Sequence, residues 1–405
     1  MPHSSDQAPG AARRATAVDA IAECYVARLA ELSPEFAVYN GLPGRRGELD
    51  DYSPEGLAAR NDLDRSTLRE LDGVEAADDV DRVTVAAMRE RLGVGLDLAD
   101  AGEDLRSLNN IDSPVQTLRD GFDNLPTATE EDWADFASAL RAVPRALDQY
   151  ARSLRLARSR GDVAARRQVG AAISQARDQA GEATSSYTAL IDGAATADGA
   201  PLPPALAAEL REAAAVARRG YARLADFLAE EIVPEAGRAD AVGRERYERF
   251  SREFLGAVVD LDETYEWGRE RLAAIDAEQR AIAGRLYGPG TGVREAMDRL
   301  NADPARTVHG TAALRDWMQA TSDRAMAALD GVHFDIPAPL RTLECRIAPS
   351  ATGGIYYTGP SDDFSRPGRM WWSVPAGTED FATWQERTTV FHEGVPGHHL
   401  QVGMQ

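Results

Sequence analysis

Three of the six histidines, His392, His398 and His399, fall within eight residues of the stretch F-H-E-G-V-P-G-H-H-L-Q-V-G-M-Q, positions 391–405. Glu393 directly follows the first of them. Two imidazoles and a carboxylate placed this way are what a zinc hydrolase uses, the histidines to hold the metal and the glutamate as general base. The usual arrangement is His-Glu-x-x-His, and here the second histidine comes two residues later. On a straight helix His392 and His398 would be about 600° apart and face different ways, and His399 would return to the first face about 10 Å further along the axis. Pro396 changes this expectation. It stands four residues after His392, so its ring meets the His392 carbonyl and its nitrogen has no hydrogen to offer it. Gly397 adds backbone freedom at the same point. A break there would let His398 take the place of the second histidine, with Glu393 beside His392. His392 and His398 are the preferred ligand pair, and His399 either supports them from behind or polarises the substrate. Exchange of roles between His398 and His399 stays open. So does the plain alternative, in which the helix ends at Val395 and the histidines cap or line a surface turn.

Other residues offer weaker chemistry. Tyr356 and Tyr357 are adjacent, so on a strand they point to opposite faces. One of them, taken as Tyr357, could stabilise an oxyanion, and both could equally be packing aromatics. Arg366 could receive a substrate carboxylate or be an ordinary loop arginine. Trp371 and Trp372 suit either a core or a cleft wall. His309 and His333 are isolated and read as structural.

The elements that must position these residues are mostly helical. Apolar residues recur at three and four from Thr16 to Leu32. The segment S-P-E-F-A-V-Y-N-G reads as a loop from its proline and glycine. Helical patterns resume over 54–71 and 79–98. The stretch from Ser107 to Pro126 has several breakers and reads as a structured loop. Thr129 looks like an N-cap with acidic residues in the first turn, opening a helix to about Arg158. Further helices are expected over 163–180, 204–233, 244–286 as one long stripe, 291–300 and 308–329. From Phe334 the texture changes to prolines, glycines and β-favouring residues, with short strands at 343–348, 354–358 and 369–374. A last helix, 381–391, delivers the histidines. The expectation is a mainly α protein, a large helical array with a small antiparallel β-sheet near the metal-motif helix. Its parts are a disordered N-terminus (1–15), a helical region (16–333) and a sheet-plus-motif region (334–405), forming one continuous domain.

Composition narrows the function. The chain has 405 residues, 43% of them hydrophobic and 27% charged, as in a globular protein with a large core. Its net charge of −21 argues against nucleic acid or an anionic membrane surface as partner. All 45 cationic side chains are arginine, which excludes chemistry needing a lysine Schiff base. The two cysteines, Cys24 and Cys345, form no C-x-x-C pattern. They suggest a reducing compartment, and with no apolar leader after Arg13 and Arg14 the expectation is a cytoplasmic protein.

The stretch from His392 to Gln401 resembles the signature of a bacterial family catalogued as domain of unknown function 885. That family in turn resembles the carboxypeptidase Taq type of zinc metallopeptidases, which are nearly all helical. Two further stretches agree, Tyr356 to Gly368 and Ser33 to Gly41. The resemblance implies a gluzincin-like hydrolase of peptides or other small amides, with a carboxypeptidase among the kinds it covers, that holds Zn²⁺ through His392 and His398 and uses metal-activated water with Glu393 as general base. Architecture of this kind would also let the edge of the small sheet hold a peptide by strand addition. Such families take a third ligand, a glutamate, from a later helix in a segment resembling E-G-W-A-x-Y, and this sequence has no match to it. The expectation is therefore a shortened form of a longer protein, with weak metal binding or none by itself. The alternative is a non-catalytic helical binding protein that retains the motif.

Overall fold

The computed structural model describes residues 13–348 and 354–404, in which fifteen α-helices and five short strands follow one another. Most of the expected disordered N-terminus, residues 1–12, lies outside the described residues. Arg13 is anchored, its guanidinium paired with Asp19, Asp78 and Asp81.

The first group contains α1 (Ala17–Leu32), α2 (Pro34–Asn40), α3 (Pro54–Asp72) and α4 (Asp79–Asp100). Helix α2 is where a loop was expected. Ser33 accepts the Phe36 N–H at 3.2 Å, Pro34 occupies the first helical position, and Gly41 closes the helix at φ +69°. The proline and glycine are start and stop signals here, not breakers. The same correction applies to the stretch 107–126. It contains α5 (Pro114–Asp120) followed by a 3-10 turn, Gly121–Asn124. The Gln116 side chain accepts the Ser113 N–H at 3.0 Å, a capping contact at the head of that helix.

The main core forms around α6 (Glu130–Ser159), α7 (Arg166–Ala180), α8 (Ser186–Asp192) and α9 (Pro204–Phe227). Thr129 caps α6 as its sequence predicts. Alanines 139, 146, 213, 214 and 217 are buried where α6 meets α9, and Gly220 lies against Pro144, so the two helices approach closely. Phe122 stands edge-on to Phe136 and Tyr187 at 5.1 and 5.0 Å, joining the 3-10 turn to this core.

The expected long helix over 244–286 is two helices. α10 (Arg244–Leu255) ends at Gly256, φ +64°, and α11 (Leu261–Tyr287) restarts with the Asp260 carboxylate accepting two backbone N–H groups. The apolar stripe runs across the break, which is why periodicity alone missed it. Arg246 on Glu103 and Arg252 on Glu90 bind α10 to the body.

The remaining elements are α12 (Val293–Asn301), β1 (Thr307–His309), α13 (Thr311–Leu329), β2 (Leu343–Ile347), β3 (Ile355–Thr358), β4 (Gly368–Trp372), β5 (Asp380–Ala382), α14 (Thr383–Glu393) and α15 (Gly397–Met404). Strands β1 and β5 form a separate antiparallel pair. The principal sheet has the order β2-β4-β3 and is mixed: β4 runs antiparallel to β3 and parallel to β2. This corrects the expected antiparallel sheet. Composition reveals strands, but here the loop 359–367 inserts β4 between two strands that precede it, and no local signal encodes that order. Leu343, Cys345, Met370 and Trp372 face a second core with Leu314 and Met318 of α13 and Val390 of α14. Glu344, Arg346, Arg369 and Trp371, one residue out of step, face the opposite side.

Candidate metal centre

Helix α14 is fixed by Val390, which is fully buried in the second core. It ends at Glu393, with the Gly394 N–H still bonded to the Val390 carbonyl at 2.9 Å. Val395 and Pro396 follow, joined by a cis peptide, and α15 begins at Gly397. The chain therefore stops and restarts, a fuller break than a kink. Both glycines are required by space. A Cβ on Gly397 would collide with the His392 carbonyl, and one on Gly394 would lie 2.6 Å from the Val390 carbonyl.

The break brings His392 and His398 together, with ring centroids 4.7 Å apart and planes at 77°. Glu393 reaches both: Oε1 lies 3.8 Å from His392 Nε2 and Oε2 lies 4.0 Å from His398 Nε2. One ligand atom from each of the three residues falls within 4.8 Å of the others, and no further His, Cys, Asp or Glu joins the group among the described residues. The Glu393 side chain is 12% exposed, while that of His392 is 65% exposed, so the cluster opens to solvent on the His392 side. Burial raises the Glu393 carboxyl above its ordinary range, and the neighbouring His398 and His392 pull it back down. Two imidazole nitrogens and a carboxylate are a donor set that zinc accepts.

Gln401 is a site residue that the sequence reading passed over. Its Oε1 lies 3.1 Å from His398 Nδ1. The amide oxygen accepts the Nδ1 hydrogen and leaves Nε2, the nitrogen on the Glu393 side, with its lone pair free. The spacing of three on a helix was the available signal.

His399 does not face the cluster, which corrects its expected role as a substrate-polarising group and removes it as an exchange partner for His398. Its ring is fully buried. Nε2 lies 2.7 Å from the Leu340 carbonyl and Nδ1 lies 2.9 Å from the Tyr357 hydroxyl. A carbonyl only accepts, so Nε2 carries the hydrogen and Nδ1 accepts from the tyrosine. Burial favours this neutral ring. The Tyr357 hydroxyl is thus committed to His399, and its expected role at an oxyanion gives way to one of fixing α15 to the sheet. Gly368 makes the contact possible, since a Cβ there would collide with the Tyr357 hydroxyl.

The other candidates are also placed. Tyr356 points to the opposite face and donates to Asp123 at 2.8 Å. That carboxylate is also held, at 2.6 and 2.9 Å, by Arg119, which is buried. Arg366 donates to Asn124 Oδ1 at 2.7 Å and to the Tyr39 carbonyl at 2.6 Å, which ties its loop to α2 and the 3-10 turn. Trp372 belongs to the second core, and Trp371 is buried on the other face of the sheet. His309 pairs with Asp380 across the small β1–β5 ribbon at 2.9 Å.

Fold and site together define a mainly helical protein whose mixed sheet and two-part terminal helix carry a His–Glu–His cluster open to solvent. Residues 34–405 match the family described as bacterial protein of unknown function (DUF885), and the chain belongs to that family. No curated protein matches it. Its fold is similar to that of a solved protein from Colwellia psychrerythraea, described as a "putative lipoprotein", with a TM-score of 0.78 and 17% identity over 96% of this chain and 72% of that one. A second solved protein, from Shewanella oneidensis and under the same description, gives a TM-score of 0.56 and 15% identity, with the same coverage of both chains. At these identities the likeness concerns the fold. No helix among the described residues is long and apolar enough to cross a membrane.

Proposed function

We propose that the protein is a zinc-dependent hydrolase of peptides or other small amides. The observation that carries this reading is the convergence of His392, Glu393 and His398 across the break at Pro396, with one face left open. His392 and His398 would hold the ion through their Nε2 atoms, and Gln401 fixes the tautomer that His398 needs. When bound, zinc supplies Lewis-acid polarisation of a carbonyl and makes water more acidic. Glu393 is placed to accept a proton from water at a carboxylate oxygen and to return it to the leaving amine. The buried His399–Tyr357 pair acts by holding α15, and with it His398, against the sheet. The unpaired Cys24 and Cys345 fit a cytoplasmic setting, and the lipoprotein description is a property of the two neighbours.

Glu393→Gln tests the reading. Loss of peptide hydrolysis by about 10²–10⁴-fold with metal content unchanged supports Glu393 as the base. The same geometry would let Glu393 complete the ligand set, and loss of metal in this variant would assign it there. Hydrolysis that survives both the substitution and chelation would exclude the proposal and favour a binding protein without catalysis.

A further inference from the structure

On the face of the sheet turned away from the second core lies a cavity of about 1100 Å³, walled on its far side by the 3-10 turn, the loop after it and the first turns of α6. No residue of the His–Glu–His cluster lines it. Its charged lining consists of Arg315, Arg346, Arg366 and Arg369 against Asp123 and Glu344. In a chain of net charge −21 this is a local reversal of sign.

The two carboxylates do not balance the four guanidinium groups. Asp123 is already held by the buried Arg119. Arg315 is held by Asp316 outside the lining. Glu344 offers a single oxygen, Oε2, to both Arg346 and Arg369, at 2.9 Å in each case. Arg366 donates to an amide oxygen and to backbone carbonyls, all neutral. Arg369 and Arg366 are each held below the ordinary arginine value, by burial first and then by the neighbouring arginine. Arg346 and Arg369 also lie 5.6 and 6.0 Å from the Trp371 ring, which fixes both groups over one aromatic surface. The rest of the wall is largely apolar, with Trp133 and Phe136 contributing. A pair of aromatic-backed guanidinium forks sharing one carboxylate oxygen, beside an apolar wall, suits a carboxylate attached to an organic body.

We propose that this cavity is a carboxylate-binding site for short peptides, in which Arg346 and Arg369 receive the acidic group and Glu344 occupies their forks in the ligand's absence. The carboxylate belongs to the peptide's C-terminus or to an acidic side chain, two sources of one chemistry. That the carboxylate is carried by a peptide rests on the proposed function; the recognition of a carboxylate does not, because the cluster takes no part in the cavity.

The test is a titration of the whole chain followed by tryptophan fluorescence, since Trp133 and Trp371 line the cavity. The probes are N-acetyl-trialanine as free acid, the same peptide as its amide, N-acetyl-Ala-Glu-Ala amide, and inorganic phosphate. The free acid or the glutamate peptide is expected to bind at least about tenfold more tightly than the uncharged amide, one charge-assisted contact being worth that much. Whichever of the two binds identifies the source of the carboxylate. Arg346→Gln/Arg369→Gln is expected to lose the difference. Glu344→Gln keeps both arginines and removes their internal competitor, so it is expected to tighten binding, which keeps the test decisive if the double variant fails to fold. Equal affinity for acid and amide, binding of phosphate alone, or weaker binding in Glu344→Gln would each overturn the proposal.

Discussion

Gly397 lies directly against the His392 carbonyl, and no side chain fits between them. That contact lets the chain turn back after α14 and set His398 beside His392. It also makes the site depend on a residue with no chemistry of its own. Gly397→Ala is predicted to cost about 1–3 kcal/mol as an overpacked contact, read as a shift in the denaturant midpoint. It is also predicted to weaken metal binding in the molecules that remain folded. Unchanged stability would mean that the two backbone segments are not in contact.

Tyr357→Phe should behave differently. Without the hydroxyl, Nδ1 of the buried His399 has no donor, and an unsatisfied buried acceptor costs about 1–3 kcal/mol. The prediction is a lower midpoint with metal stoichiometry retained. If instead hydrolysis collapses while stability holds, the hydroxyl serves the reaction directly and not the packing of α15.

Helix existence was legible almost throughout, and the errors have a common physical origin. At Pro34, Gly41 and Pro114 the residues that mark helix ends were read as signs of no helix, because a short helix offers too few residues for a periodic stripe. At Gly256 the reverse happened, and a stripe running across the break hid a left-handed cap. Strand order is a long-range property, so the parallel pairing of β2 with β4 left no local trace. In the site, Pro396 and Gly397 signalled the break that sets the His392 and His398 rings side by side. The burial of His399 depends on Leu340 and Tyr357, more than forty residues away, and spacing within the motif could not reveal it.

Away from the cluster, Glu35 predicts a pH dependence of stability. Its carboxylate accepts the Tyr52 hydroxyl at 2.6 Å and lies close to Asp50, which is itself bound by Ser33 and near Arg60. Burial first, and the Asp50 charge second, push the Glu35 carboxyl up to about 7. A carboxyl raised on folding contributes stability that is present below its unfolded value and lost as pH rises through the folded one. The wild-type protein is therefore predicted to lose about 1 kcal/mol or more between about pH 5 and about pH 8 through this group. Glu35→Gln, which cannot ionise, should flatten that slope in denaturant titrations. Parallel pH profiles for the two proteins would contradict the assignment.

The central claim is that His392 and His398, brought together at the break, bind a metal ion. Its most direct test is elemental analysis of the purified, zinc-reconstituted protein beside His392→Ala and His398→Ala, with His399→Ala as the comparison. The prediction is zinc taken up by the parent when the ion is supplied in excess, held weakly because two imidazoles are fewer than the three protein ligands a catalytic zinc usually has, loss in the first two variants, and a folded fraction of His399→Ala that keeps its metal. A parent that takes up no zinc even in excess, or a His392→Ala variant that retains it, would contradict the account.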